Sequence, residues 1–147
     1  MKKWIIVACC FALSACAFFR AVPYAPIPNV SEPAKVIERV LKSQPPAYAD
    51  EVPFEVSVKS DCIELRTTDP GRFGGSPGEV RSAIYYKNIG KVVLNKDDIW
   101  KAVLNKTDIW YVEIFDRSGN WMYDVWTFDE SEAKLFIDAL YTVMPKQ

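Results

Sequence analysis

An uncharged apolar run from Trp4 to Leu13 opens the hydrophobic pattern of this chain, behind a basic start at Lys2 and Lys3. Ten helical residues reach about 15 Å, half of the roughly 30 Å hydrocarbon core, so the run predicts a targeting segment and not a spanning helix. Residues 17–30 follow with Pro23, Pro26 and Pro28 and no helical or strand period. Val36, Ile37, Val40 and Leu41 then mark one face of a helix, with Ser31 as its cap, Glu32 and Pro33 in its first turn, and Gln44-Pro45-Pro46 as its stop. Beyond it the period becomes two. Phe54, Val56 and Val58 alternate, Lys59-Ser60-Asp61 supplies a turn, and Ile63 and Leu65 alternate again, which predicts a hairpin.

Residues 68–79, rich in Gly and Pro, predict a long loop. Val80–Tyr86, Lys91–Leu94, Ile99–Leu104, Asp108–Phe115 and Trp121–Phe128 read as strands, with Asp116-Arg117-Ser118-Gly119-Asn120 as the turn between the last two. A helix over 130–144 closes the chain. Asp129 caps it, Glu132 completes a capping box, and Ala133, Phe136, Ile137, Leu140, Tyr141 and Met144 form a continuous helical stripe.

The heptad LNKDDIW at 94–100 recurs as LNKTDIW at 104–110, six of seven residues identical at an offset of ten. That offset is too short for a solenoid repeat. Two similar β-turns with duplicated flanks explain it, and a helix over 98–104 stays open as the alternative.

Seven strand candidates and an amphipathic C-terminal helix predict an α+β, mainly β fold. The segment Tyr85-Tyr86-Lys87-Asn88-Ile89-Gly90-Lys91-Val92 resembles the strand–turn–strand of bacterial pleckstrin-homology-like domains. Trp110-Tyr111-Val112-Glu113-Ile114-Phe115-Asp116 resembles their penultimate strand, and Phe128 with Asp129–Leu140 their entry into the closing helix. The resemblance implies an antiparallel barrel of about seven strands closed by the C-terminal helix, here with an extra N-terminal helix. The superfold hosts many functions, so it transfers little else.

Leu13-Ser14-Ala15-Cys16 resembles the lipobox of bacterial lipoprotein precursors, cut before a Cys that becomes acylated. The resemblance implies a signal peptide at 1–15, lipidated Cys16, a Pro-rich tether over 16–30 and a single globular domain over 31–147. In extended geometry, at about 3.1 Å per residue, the tether would hold that domain about 40 Å from the lipid. With Ala17 and not Asp after the Cys, the sorting pattern implies the outer membrane, facing the periplasm; a Gram-positive host would place the same anchor on the cell surface.

Composition narrows the chemistry. The chain has 147 residues, half of them hydrophobic, with a net charge of −1 and no His. Its length suffices for one core, and nucleic acid is excluded as a partner by the missing basic field. Without His there is no Ser-His-Asp or Cys-His catalysis and no His-ligated metal. After cleavage and acylation Cys62 is the remaining thiol, expected as a small buried hydrophobe, with an intermolecular disulfide as its functional alternative.

No cofactor or metal is expected. Lys59-Ser60-Asp61 carries a carboxylate where a phosphoinositide-binding loop would be basic. Arg66, Arg72 and Arg81 lie in or near the Gly-rich stretch, which lacks a phosphate-binding spacing and precedes a strand. Asp97, Asp98 and Asp108 do not match a calcium loop. Glu113 and Asp124, on neighbouring strands, read as outward-facing polar residues or as a carboxylate acid/base pair.

The aromatic group Trp100, Trp110, Tyr111, Trp121, Tyr123 and Trp126 is the most informative feature, with core packing as its default reading. Alternation places Trp110 and Tyr111 on opposite faces, and Trp126 opposite Trp121 and Tyr123. Both faces cannot be interior in a closed barrel, so part of this group is expected at the surface. Trp110, Tyr111, Trp121 and Tyr123, with Arg72 and Phe73 of the long loop, form the candidate interaction surface. The expected function is a non-enzymatic interaction or assembly module, anchored to membrane lipid and contacting another envelope protein. Carriage of a lipid or other apolar ligand is the alternative, and a carboxylate-dependent cell-wall hydrolase the third.

Overall fold

The computed structural model describes residues 19–46, 52–69, 78–97 and 108–145. In chain order these form β1 (Phe19–Val22), α1 (Pro33–Lys42), β2 (Glu55–Val58), β3 (Cys62–Asp69), β4 (Gly78–Tyr85), a 3-10 turn at Tyr86–Asn88, β5 (Ile89–Asp97), β6 (Ile109–Asp116), β7 (Trp121–Thr127) and α2 (Glu130–Val143). The strands make two antiparallel sheets, ordered β1-β5-β6-β7 and β2-β3-β4. Among the described residues no closed barrel is formed. The 3-10 turn carries the chain from one sheet to the other, and its Tyr86 is buried, with its hydroxyl donating to the Lys59 carbonyl at 3.1 Å.

One core joins both sheets and both helices. It contains Ile37, Val40 and Leu41 of α1, Ile63 and Leu65 of β3, Leu94, Val112, Ile114 and Val125 of the larger sheet, and Phe136, Ile137 and Leu140 of α2. Removing each such side chain from water contributes about 1.5–3 kcal/mol. The helical stripe foreseen over 133–144 is the face that α2 turns toward this core.

The Pro-rich segment departs from the free tether expected of it. Phe19–Val22 pair with Asp97–Leu94 of β5, and the chain then runs along α2. The Tyr24 hydroxyl donates to Asp138, the Ile27 N–H to Asp138 Oδ1 at 2.7 Å, and the Val30 N–H to Thr142 Oγ1 at 3.3 Å. A polyproline-like stretch offers its N–H groups few internal acceptors: the Asn29 N–H donates to the Ile27 carbonyl at 2.9 Å, while those of Ile27 and Val30 take acceptors from the helix beneath.

Two helix ends also differ from expectation. α1 starts at Pro33, with Glu32 and not Ser31 in the cap position, and no side chain caps it. Pro at the first helical position leaves one fewer N–H to satisfy. In α2, Asp129 accepts from the Ser131 N–H at 2.7 Å as foreseen. Glu132 does not complete the capping box: it pairs with Arg39 of α1 and accepts from Thr127, while Thr127 Oγ1 accepts the Asp129 N–H at 3.1 Å. A tertiary ion pair has taken the side chain that the local motif would use.

Gly90 sits at a register shift between Ile89 and Lys91, where a Cβ would come within 2.5 Å of the Asp116 carbonyl. Gly119 turns the β6–β7 connection with φ +85°, and Asp116 accepts from the N–H groups of Ser118 and Asn120, both at 2.8 Å. The Asn120 side chain first, and then those backbone donors, hold the Asp116 carboxyl below the usual range. The expected strand Ile99–Leu104 and the 98–104 alternative lie outside the described residues, as do Cys16, Arg72, Phe73, Asp98 and Trp100.

Candidate functional site

Strict alternation along β6 points Trp110, Val112 and Ile114 into the core and Tyr111 and Glu113 to the opposite face of the sheet. Trp110 is thus a core ring, with the Lys96 ammonium 5.4 Å from its centroid. Tyr111 is also buried. Its ring stacks on Trp126, its partner across β7, at 4.5 Å between centroids and 19° between planes. Burial, and then the charges of Glu113, Asp97 and Asp124, push its phenol well above the ordinary tyrosine range.

Glu113 and Asp124 face each other directly in the β6–β7 register. Like charges at such a position repel, and each carboxylate has a neutral donor: Asn95 Nδ2 to Glu113 at 2.7 Å, and the Trp121 indole N–H to Asp124. The two carboxylates act here as acceptors that orient an amide and an indole. Among the described residues no group of three His, Cys, Asp or Glu is placed to hold a metal ion.

Of the four rings in the candidate interaction surface, Trp121 is exposed, at 60%. Tyr123 is half-buried against the core, and Trp110 and Tyr111 are interior. A closed barrel would put part of the aromatic group at the surface; among the described residues no such barrel forms, and Trp110 and Tyr111 both follow the core-packing default. The face carrying Tyr111 is covered at that ring by Trp126, so the two rings lie on opposite faces as alternation requires and both are buried. Trp121 belongs to the first residues of an edge strand, and its indole folds toward Asp124 of the same strand.

The second sheet holds aromatic exposure that sequence reasoning missed. Phe54 and Tyr85 are exposed, and the Arg66 guanidinium lies 5.2 Å from the Phe54 ring centroid. A cleft of about 550 Å³ on this face is lined by Glu55, Glu64, Arg66, Arg81 and Tyr85 among others. Arg66 pairs with Glu55 and with both oxygens of Glu79, at 2.8 and 2.7 Å, and Arg81 Nε reaches Glu79 at 3.0 Å. The guanidinium hydrogen bonds, Arg66 first and then Arg81, pull the Glu79 carboxyl down to about 2. Their charge is thus directed at carboxylates and not at an external anion. The signal was present in the sequence as alternating charges at Glu64 and Arg66 and at Glu79 and Arg81.

A smaller groove of about 290 Å³ lies between β1, β5 and α2, with Val22, Tyr24, Val92, Leu94, Ile137 and Tyr141 in its lining. Cys62 is buried on β3, and burial, with the neighbouring Asp61 charge, raises its thiol pKa, so the thiol is placed for packing and not for exchange. The turn Lys59-Ser60-Asp61 is closed by the Lys59 N–H to the Cys62 carbonyl at 2.8 Å. The chain matches no protein-family model, no curated protein and no solved structure.

Proposed function

We propose that this chain is a lipid-anchored, non-enzymatic interaction module of the bacterial cell envelope. Acylated Cys16 would hold it in the outer membrane, and the folded body would contact another envelope protein from the periplasmic side. The lipobox-like Leu13-Ser14-Ala15-Cys16 behind a basic, apolar leader supports the anchor. Three acyl chains exceed the marginal binding of one, since each buried methylene contributes about 0.8 kcal/mol. The layout of two antiparallel sheets and a C-terminal helix supports the pleckstrin-homology-like reading.

The observation that carries the interaction role is Trp121. The residue is more than half exposed, yet its indole N–H is held by Asp124, so a large apolar side chain is presented with little rotamer entropy left to lose on binding. Crosslinking the acylated protein in intact cells, followed by mass spectrometry, tests this. One reproducible partner is expected, its capture reduced severalfold by Trp121→Ala with the fold retained. Undiminished capture by that variant would remove Trp121 from the surface. A Cys16→Ser chain that still fractionates with membrane would remove the lipid anchor.

The groove between β1, β5 and α2 favours a second reading, carriage of an apolar ligand, because its lining is largely aliphatic and aromatic. Native mass spectrometry of the purified protein distinguishes the two. A co-purifying apolar molecule lost on Leu94→Gln would support carriage.

A further inference from the structure

The sheet edges of this fold are not equally protected. On β7 the Trp126 N–H is taken by Gln44 Oε1 at 3.0 Å, and the Trp121 indole folds toward Asp124. α1 packs against β2. β1 is four residues long and is followed by Pro23. β4 differs: it is eight residues long, lies at the end of the order β2-β3-β4, contains no Pro, and is exposed among the described residues at every position except Ile84. A long, open edge of this kind is a template for another strand.

The ladder identifies which of its groups point outward. The Tyr86 N–H donates to the Asp61 carbonyl at 3.0 Å, next to the Cys62–Tyr85 pair. Antiparallel pairs alternate, so Ile84, Ser82 and Val80 bond to β3, whereas Tyr85, Ala83, Arg81 and Glu79 turn N–H and C=O toward the open edge.

We propose that β4 pairs, antiparallel, with β4 of a second copy of this chain, about a two-fold axis through Val80. Charge selects this occupant and this register. Within one chain, Arg66 and Arg81 are directly opposite each other, and a single carboxylate, Glu79, bridges them. In the proposed register each Arg81 faces Glu79 of the second copy on its other side. The row across the dimer then reads Glu55, Arg66, Arg81 and the second copy's Glu79, so the like-charged pair is flanked by carboxylates at both ends. On the opposite face Val80, 38% exposed, meets its own symmetry mate at the closer, non-hydrogen-bonded spacing. Charges on an edge strand ordinarily discourage pairing. A Glu and an Arg two residues apart do not repel a second antiparallel copy, because they are complementary to themselves.

The test uses the full chain in detergent, with oligomeric state measured by analytical ultracentrifugation across a concentration series. A monomer–dimer equilibrium is expected. Arg81→Glu, on a residue whose side chain is largely exposed, sets Glu79 against a second carboxylate and weakens the dimer by about tenfold or more. Glu79→Arg combined with Arg81→Glu restores complementarity and the dimer. Register is read by oxidation: Val80→Cys gives a disulfide-linked dimer above the level of the parent chain, and Ser82→Cys does not. A monomer at all concentrations, a dimer indifferent to Arg81→Glu, or a Ser82→Cys chain that crosslinks more readily than Val80→Cys would each overturn the proposal.

Discussion

The phenol of Tyr24 donates to both carboxylate oxygens of Asp138, at 2.9 and 2.8 Å, across 114 residues of chain. Asp138 also accepts the Ile27 N–H, so one side chain of α2 secures the segment that follows β1. Asp138→Ala removes an acceptor from two donors at once and is expected to destabilise the protein by about 1–3 kcal/mol. Hydrogen exchange should localise the loss. Amides of residues 19–30 lose protection, while those of β6 and α2 change in proportion to global stability alone. Uniform loss across the chain would mean that the segment does not open independently.

Alkaline pH weakens the same contact. Burial first, then the hydrogen bond to Asp138 and its charge, raise the Tyr24 phenol to about 12, and burial raises Tyr86 to about 12. For a group whose folded pKa lies above its unfolded value near 10, the stabilising contribution is complete below the unfolded pKa and is lost as pH rises through the folded one. Stability is therefore expected to fall between about pH 10 and 12. Tyr24→Phe should flatten part of that fall. Urea midpoints measured across the range, with phenolate absorbance followed in parallel, check both statements.

Gly90 is required by contact and not by a left-handed backbone. A Cβ there would meet the Asp116 carbonyl at 2.5 Å and the Arg117 Cα at 2.6 Å, both backbone atoms that no rotamer can move aside. Gly90→Ala is expected to lower stability by about 1–3 kcal/mol, as overpacking does. Thermal unfolding provides the comparison. Gly78→Ala serves as control, since a methyl group at that position would meet nothing within 4 Å among the described residues.

The two indole and phenol positions separate surface from interior. Trp121→Ala is expected to change stability by less than about 1 kcal/mol, the usual range for an exposed substitution. Tyr111→Ala removes a ring stacked on Trp126 and should be destabilising by about 3–5 kcal/mol, as large-to-small interior changes of aromatic residues are. Chemical denaturation of the two variants measures the difference. Equal costs would mean that the exposed ring is held by more than its bond to Asp124.

Local chemistry determined much of this protein. The stripe from Ala133 to Leu140, the Asp129 cap, the Asp116–Asn120 turn and the alternation through the β2–β3 hairpin are each set by residues within a few positions of one another. Periodicity also assigned Trp110 and Tyr111 to opposite faces. Only the tertiary structure decided what covers each face, because coverage depends on residues distant in sequence: Trp126 over Tyr111, Gln44 against the edge of β7, Asp138 beneath Tyr24. The Pro-rich segment shows the limit most directly. It has no internal period to betray a partner, so its place on β5 and α2 is written in the acceptors that those elements offer. Glu132 shows the converse, a local capping signal set aside when Arg39 came within reach.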